Sequence, residues 1–275
     1  MSALTGLHIL GLRASVAPPD LGQPSAINVS HDTSVQDPLL ARFEALGATC
    51  HNYPVIKIEA AGLDDAMVKQ QVMGFSSYSK AIVISRHAAQ LAVWWLDRYW
   101  PMQPVGIDYF AVGPASAQPL LDNDMTVVVP RSGFTSEALL ALPALNTVQG
   151  EKIIIFRGGQ GRDLLRHTLE TRGASVDCCE LYRRVVDSRY CEAIVELLRV
   201  QSPLVLVYSS QAIDALLSVV PEADRVTLTH LPIIVPSERV ANLARNRGFD
   251  SVHLAASAHA EDVEHSVLDW YTRAR

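Results

Sequence analysis

The chain has 275 residues, of which 49% are hydrophobic and 19% charged, with a formal net charge of −6. That length predicts about two domains with ample apolar surface to bury, and the acidic balance argues against a nucleic-acid partner, because phosphate contacts need a basic face. No apolar run reaches the roughly 18 residues of a membrane span, and MSALTGLHIL enters a strand without a basic leader or cleavage site, so a soluble cytoplasmic protein is expected with no membrane partner.

In chain order, Leu7 to Leu12 reads as a first strand ending at Arg13. The proline-rich stretch 17–32 is a long loop. Pro38 opens a helix whose Leu39, Leu40, Phe43 and Leu46 share one face, and Gly47 ends it. A second strand is expected over 49–59, interrupted at Pro54, followed by a helix over 63–73 and a short buried strand over 81–84. Ser85-Arg86-His87 then turns into an apolar helix running to Tyr99. Asp108 to Val112 is a strand that Gly113 to Ala117 turns into a short helix; Thr126 to Val129 is another, and Thr135 or Ser136 caps the helix after it.

The segment 150–184, GEKIIIFRGGQGRDLLRHTLETRGASVDCCELYRR, holds a strand, a glycine turn, a helix stopped at Gly173 and a returning strand over 175–182. This is a βαβ unit, the element from which parallel sheets covered by helices are built. Helices over 188–200, 212–219, 240–247 and 261–271 then alternate with strands over 204–208, 232–235 and 251–254. The four cysteines, Cys50, Cys178, Cys179 and Cys191, show neither paired CxxC motifs nor zinc-type histidine spacing, so reduced thiols and no metal are expected.

Two halves of the chain match each other. AIVISRHAAQLA pairs with LVLVYSSQAIDAL, Ser85 opposite Ser209 at an offset of 124, and YFAVGPASAQPL pairs with PIIVPSERVANL, Val112 opposite Val235 at an offset of 123. The opening segment 5–54 matches 150–182 in the same way, with Gly47 opposite Gly173. Such self-similarity predicts two α/β domains of one design. They are either sequential, 1–147 and 148–275, or exchanged, with 1–50 plus 186–275 in one domain, 54–182 in the other, and connectors near 50–58 and 180–188. The length of the two connecting strands and Pro54 in the first favour the exchanged arrangement.

The strand ending in Arg13, the glycine-to-Tyr53-Pro54 crossover, the turn at Ser85, AVGPASA at 111–117, the βαβ unit ending in Tyr182 and SSQA at 209–212 together resemble the uroporphyrinogen-III synthase family over nearly the whole chain. Alanine follows Arg13 where the family has proline. Ile84 stands in place of the usual threonine, Ser116 replaces another threonine, and Arg239 occupies the matching position of the second copy. The resemblance implies a fold of two similar parallel-sheet α/β domains, a two-stranded connector and a substrate cleft between the domains. It also implies the cyclisation of hydroxymethylbilane with inversion of the last pyrrole ring, without metal or organic cofactor, by a monomer that takes its polycarboxylate substrate from hydroxymethylbilane synthase. The alternative is a two-domain protein that binds a tetrapyrrole or another small molecule without turning it over.

Within that resemblance, Tyr182 is the candidate general acid. Helix N-termini present free N–H groups and partial positive charge to carboxylates. That makes Ser85, Gly113, Ser116, Gly158, Gly159, Ser209, Ser210 and Ser237 candidates for substrate binding, with Arg13, Arg86, Arg131, Arg157 and Arg239 as charged partners. His87 is better explained as a solvated or capping histidine, and Trp94, Trp95 and Trp100 as packing residues.

Overall fold

The computed structural model describes residues 3–13, 37–159 and 163–274. The expected loop over 17–32 lies outside them. Among the described residues the chain divides into two compact units, one of 3–13, 37–57 and 185–274, the other of 58–159 and 163–184. Both are α/β. No helix among the described residues is long and apolar enough to cross a membrane.

The first unit is built on β1 (His8–Gly11), β2 (Thr49–Asn52), β9 (Leu204–Leu206), β10 (Pro232–Val235) and β11 (Ser251–Leu254), which form a parallel sheet in the order β11-β10-β9-β1-β2. Successive side chains alternate between faces. Leu10, Val205, Val207, Ile233 and Val235 point to one apolar cluster, which includes Ile194, Leu197 and Leu198 of α8 (Cys191–Val200) and Ile213 and Leu216 of α9 (Ser210–Val219). Ile9, Leu204, Leu206 and Ile234 point to the other, with Leu39, Leu40 and Phe43 of α1 (Pro38–Ala45) and Val263 and Val267 of α12 (Ala260–Arg273).

In the second unit the order is β3-β8-β7-β4-β5-β6, with β3 (Ile56–Ala60), β4 (Lys80–Val83), β5 (Asp108–Ala111), β6 (Val127–Val128), β7 (Lys152–Gly158) and β8 (Ser175–Val186). Ile154 and Phe156 bury on one face with Trp95 and Leu96 of α3 (Arg86–Tyr99). Ile153 and Ile155 bury on the other with Leu165 and Leu169 of α7 (Leu164–Thr171). The apolar run 152–156 is therefore covered on both faces, as central parallel strands must be.

Several boundaries differ from the sequence reading. The strand expected over 49–59 is two strands, because Pro54 has no N–H to give a ladder: β2 pairs with β1, whereas β3 belongs to the sheet of the second unit. The returning strand runs past Tyr182 to Val186, with a register shift against β7 at Arg157/Gly158. The helix expected from residue 63 starts at Ala66, where Asp65 accepts hydrogen bonds from the N–H groups of Met67 and Val68. The short helices α6 (Pro143–Asn146) and α10 (Glu222–Thr229) were not legible as periodic patterns.

Gly173 ends α7 with φ +88°, and a Cβ there would lie 2.0 Å from Gln149 Oε1. Its N–H donates to the carbonyl of Glu170, and its own carbonyl accepts from Gly150 N–H. Gly173→Ala is expected to destabilise the protein by about 1–2 kcal/mol through left-handed backbone strain, with Gln149 displaced. Urea unfolding of the purified variant measures this.

Candidate active site

Parallel α/β sheets bind ligands beyond the carboxyl ends of their strands, where the connection direction reverses. In the second unit that point lies between β4, which leads on to β5 and β6, and β7, which leads on to β8. Ser85, Arg157, Gly158 and Tyr182 all sit there.

Ser85 follows β4 and is the N-cap of α3, its Oγ accepting a hydrogen bond from Ala88 N–H at 3.1 Å. The same Oγ is 3.0 Å from the Tyr182 hydroxyl. Tyr182 is only 4% exposed. Its ring occupies the space left by the missing side chain of Gly158, where a Cβ would come within 2.6 Å of Cε2. Gly159 N–H donates to the carbonyl of Tyr182 at 2.7 Å, so this amide is committed to the β8 backbone. Gly158 and Gly159 thus serve first to bring β7 close to β8.

Two basic groups border the phenol. The Arg184 guanidinium carbon lies 5.9 Å from the Tyr182 ring centre, and the His87 ring lies 5.8 Å away, tilted by 58°. Burial, followed by the charges of Arg184 and Arg86, pushes the His87 imidazole down to about 4. His87 is therefore neutral near pH 7, and its Nε2 is buried without a hydrogen-bond partner among the described residues. His87 reads locally as a solvated or capping histidine; proximity of a β8 residue to the second position of α3 is a tertiary fact no local pattern carries.

The other expected residues divide by environment. Arg157 is only 6% exposed, and its Nη1 bonds Asp163, the N-cap residue of α7, at 2.7 Å, while Nε bonds the Gly158 carbonyl. Arg86 and Arg131 are exposed. Gly113 precedes α4 (Pro114–Leu121) and lies against Phe134, which a Cβ would approach to 3.0 Å; Ser116 is buried in the first turn of that helix.

At the matching edge of the first unit, Arg13 is exposed, with its guanidinium carbon 5.1 Å from the ring centre of Tyr208. Ser209 caps α9 through Ala212 N–H, and Ser210 is the first residue of that helix. Ser237 precedes α11 (Glu238–Asn246), in which Arg239 is exposed. Asp37 is buried and caps α1 through Leu39 N–H. Burial, and then the charge of Asp37, raises the Tyr208 phenol above its ordinary range, with Arg13 opposing. Neither Tyr208 nor Asp37 stood out in sequence, since each reads locally as a strand-end aromatic and a helix cap. No cluster of three or more metal-ligating side chains is found among the described residues.

Two variants probe this geometry. Gly158→Ala drives a methyl into the Tyr182 ring and is expected to cost about 1–3 kcal/mol in urea unfolding, with a changed near-ultraviolet tyrosine signal. For His87, a pKa lowered in the folded state means that protonation favours unfolding. Its contribution is whole above about pH 6.5 and is lost as the pH falls towards 4, on the order of 2–3 kcal/mol. Stability measured from pH 7 to pH 4 should fall less steeply in His87→Gln than in the parent.

The family model described as uroporphyrinogen-III synthase HemD matches residues 37–263. The uroporphyrinogen-III synthase of Escherichia coli strain K12 is 31% identical over 241 residues, 85% of this chain and 96% of that protein; the enzyme of Salmonella typhimurium is 30% identical over 238 residues with the same coverage. A crystal structure of a mutant synthase from Thermus thermophilus superposes with a TM-score of 0.62 at 15% identity, covering 98% of this chain and 100% of that one. The uroporphyrinogen-III synthetase of Helicobacter pylori gives 0.59 at 11% identity, covering 96% and 99%. At those identities the structural likeness speaks for the α/β fold, while the model spanning 37–263 and the nearly full-length relatives speak for descent: the chain belongs to the uroporphyrinogen-III synthase family.

Proposed function

We infer that the protein is a uroporphyrinogen-III synthase, a cyclising hydro-lyase of tetrapyrrole and heme biosynthesis that converts hydroxymethylbilane to uroporphyrinogen III. The observation that carries this reading is the 31% identity to a synthase over 96% of that enzyme's length. The Tyr182–Ser85 pair at the ligand edge of the second unit supports it, because loss of a hydroxyl from the substrate calls for a weak acid.

In this reading the departing hydroxyl leaves as water and the adjacent pyrrole becomes an electron-poor azafulvene. Ring D attacks that carbon through its substituted position, giving a spiro intermediate that fragments and re-closes with the ring inverted. The pyrroles supply the electrons, so the reaction draws on no metal or organic cofactor. The protein's main task is orientation, which can contribute several kcal/mol. Each unit offers anion sites for acetate and propionate groups, the second at the N-termini of α3 and α4 with exposed Arg86 and Arg131, the first at those of α9 and α11 with exposed Arg13 and Arg239, where helix dipoles and guanidinium groups favour anions. Arg157 acts from behind, by tying the end of β7 to Asp163 at the start of α7.

The duplicated turns are the trace of one ancestral βα design that supplied anion sites to both units; Ser85 and Ser209 cap their helices in the same way, through the third residue on. A monomer in the cytoplasm, receiving its substrate by brief hand-over from hydroxymethylbilane synthase, suits a substrate that also closes unaided to the wrong isomer. The second reading, a tetrapyrrole binder without turnover, rests on the largely buried position of Tyr182.

A coupled assay separates the two. With fresh hydroxymethylbilane, isomer III in excess over isomer I is expected, and isomer I alone at the uncatalysed rate would establish the binder. In the same assay Tyr182→Phe should lower kcat by about 10²-fold, while losing only about 1 kcal/mol of stability with its hydrogen bond.

A further inference from the structure

Tyr182 is only 4% exposed, whereas Ser85, whose Oγ is 3.0 Å from its hydroxyl, is partly open to solvent. A serine hydroxyl has two lone pairs and one proton. One lone pair of Ser85 is taken by Ala88 N–H, the helix cap of α3. If the buried phenol donates to the second, both lone pairs are filled and the serine proton is left to point to the open side. The reverse orientation would send the phenol proton out from a ring that is almost wholly enclosed. The enclosed ring therefore argues for the phenol as donor in a contact that either hydroxyl can give.

We propose that Ser85 is the group that touches the departing hydroxyl of the substrate and that Tyr182 acts through it, the two forming a serine–tyrosine proton relay at the N-terminus of α3. The proposal rests on the synthase reading and refines it. A serine hydroxyl is about as weak an acid as water, and a phenol is a much stronger one, so the tyrosine supplies the acidity and the serine the reach.

The step balances. The C–O bond of the hydroxymethyl group breaks with its electron pair on oxygen, which takes the Ser85 proton and leaves as water. Ser85 Oγ takes the Tyr182 proton as the pyrrole nitrogen fills the vacated carbon, giving an azafulvenium cation and a tyrosinate. When ring D re-closes at its unsubstituted carbon, the C–H proton lost on re-aromatisation returns through Ser85 to Tyr182. One water is released and nothing is oxidised or reduced. The tyrosinate has the positive end of α3 and Arg184 beside it, and His87, neutral near pH 7, leaves that charge balance undisturbed.

The test turns on separating the cap from the relay. Ser85→Asp still accepts from Ala88 N–H and from Tyr182 but has no proton to give. Ser85→Thr keeps both functions. Steady-state kcat and KM for isomer III, together with urea unfolding, are measured for these two, for Ser85→Ala, for Tyr182→Phe and for the Ser85→Ala/Tyr182→Phe double variant. The relay expects Ser85→Asp to unfold at the parent's urea midpoint yet lose about 10²-fold in kcat at saturating substrate, and Ser85→Thr, which keeps the hydroxyl, to stay within about 3-fold of the parent. It expects the double variant to be within about 3-fold of Tyr182→Phe, since residues that act as a unit are not additive. Parent-like kcat in Ser85→Asp would reduce Ser85 to a helix cap, a raised KM with kcat kept would make it a carboxylate contact, and multiplying losses would make the two groups independent; each overturns the relay while the synthase reading stands. A parent protein that forms no excess isomer III overturns both.

Discussion

A parallel sheet buried on both faces leaves no room for polar chemistry along its strands, and that constraint organises this protein. The strand interiors, Ile9 and Leu10 in one unit and Ile153 to Phe156 in the other, are committed to apolar contacts on alternate faces. Polar side chains are driven to the strand ends, where helix N-termini offer unsatisfied N–H groups and positive potential. The serines, the arginines and the two edge tyrosines gather there because the rest of each sheet excludes them. The chemistry inferred above, an acid step amid many carboxylates, suits a place where hydroxyl groups and anion sites are forced together.

The close approach of β7 and β8 is what turns this general edge into a specific site. Gly158 has no side chain, so the Tyr182 ring lies on its backbone and the hydroxyl comes within reach of Ser85, the N-cap of α3. The register shift at Arg157/Gly158 accompanies the same approach, and Arg157 is tied to Asp163 at the start of α7. Neutral His87 and cationic Arg184 then border one phenol with opposite tendencies: the first resists gaining charge because it is buried, the second cannot lose it.

Much of the fold was legible because its signals are local. Short apolar runs, glycine stops such as Gly173 and hydroxyl caps such as Ser85, Thr135 and Ser209 mark elements by chemistry acting within four residues. The stretch 49–59 reads as one strand interrupted at Pro54, because both of its parts have β composition; that they join different sheets is a long-range property. For the site, residue types were readable and their partners were not. Arg157 looked like an anion contact but is buried against Asp163, Gly159 looked like an open amide but bonds β8, and His87 looked peripheral but lies on Tyr182. Each depends on contacts between residues 6 to 95 positions apart, which hydrophobic periodicity does not encode.

The position of β1 between β2 and β9 has a further bearing on how the chain folds. Its sheet needs a strand from the first dozen residues and three from the last seventy or so, whereas the second unit is complete once residue 184 has been made. During synthesis the second unit can close first. Until β9 emerges, β1 and β2 remain a two-stranded fragment, and such fragments are marginal in water. Joining β1 to β9 then carries the entropic cost of closing a loop of nearly two hundred residues, a cost much reduced when most of that loop is already a folded body. The early unit thus works as a folding clamp for the late one, shortening the chain that has to search.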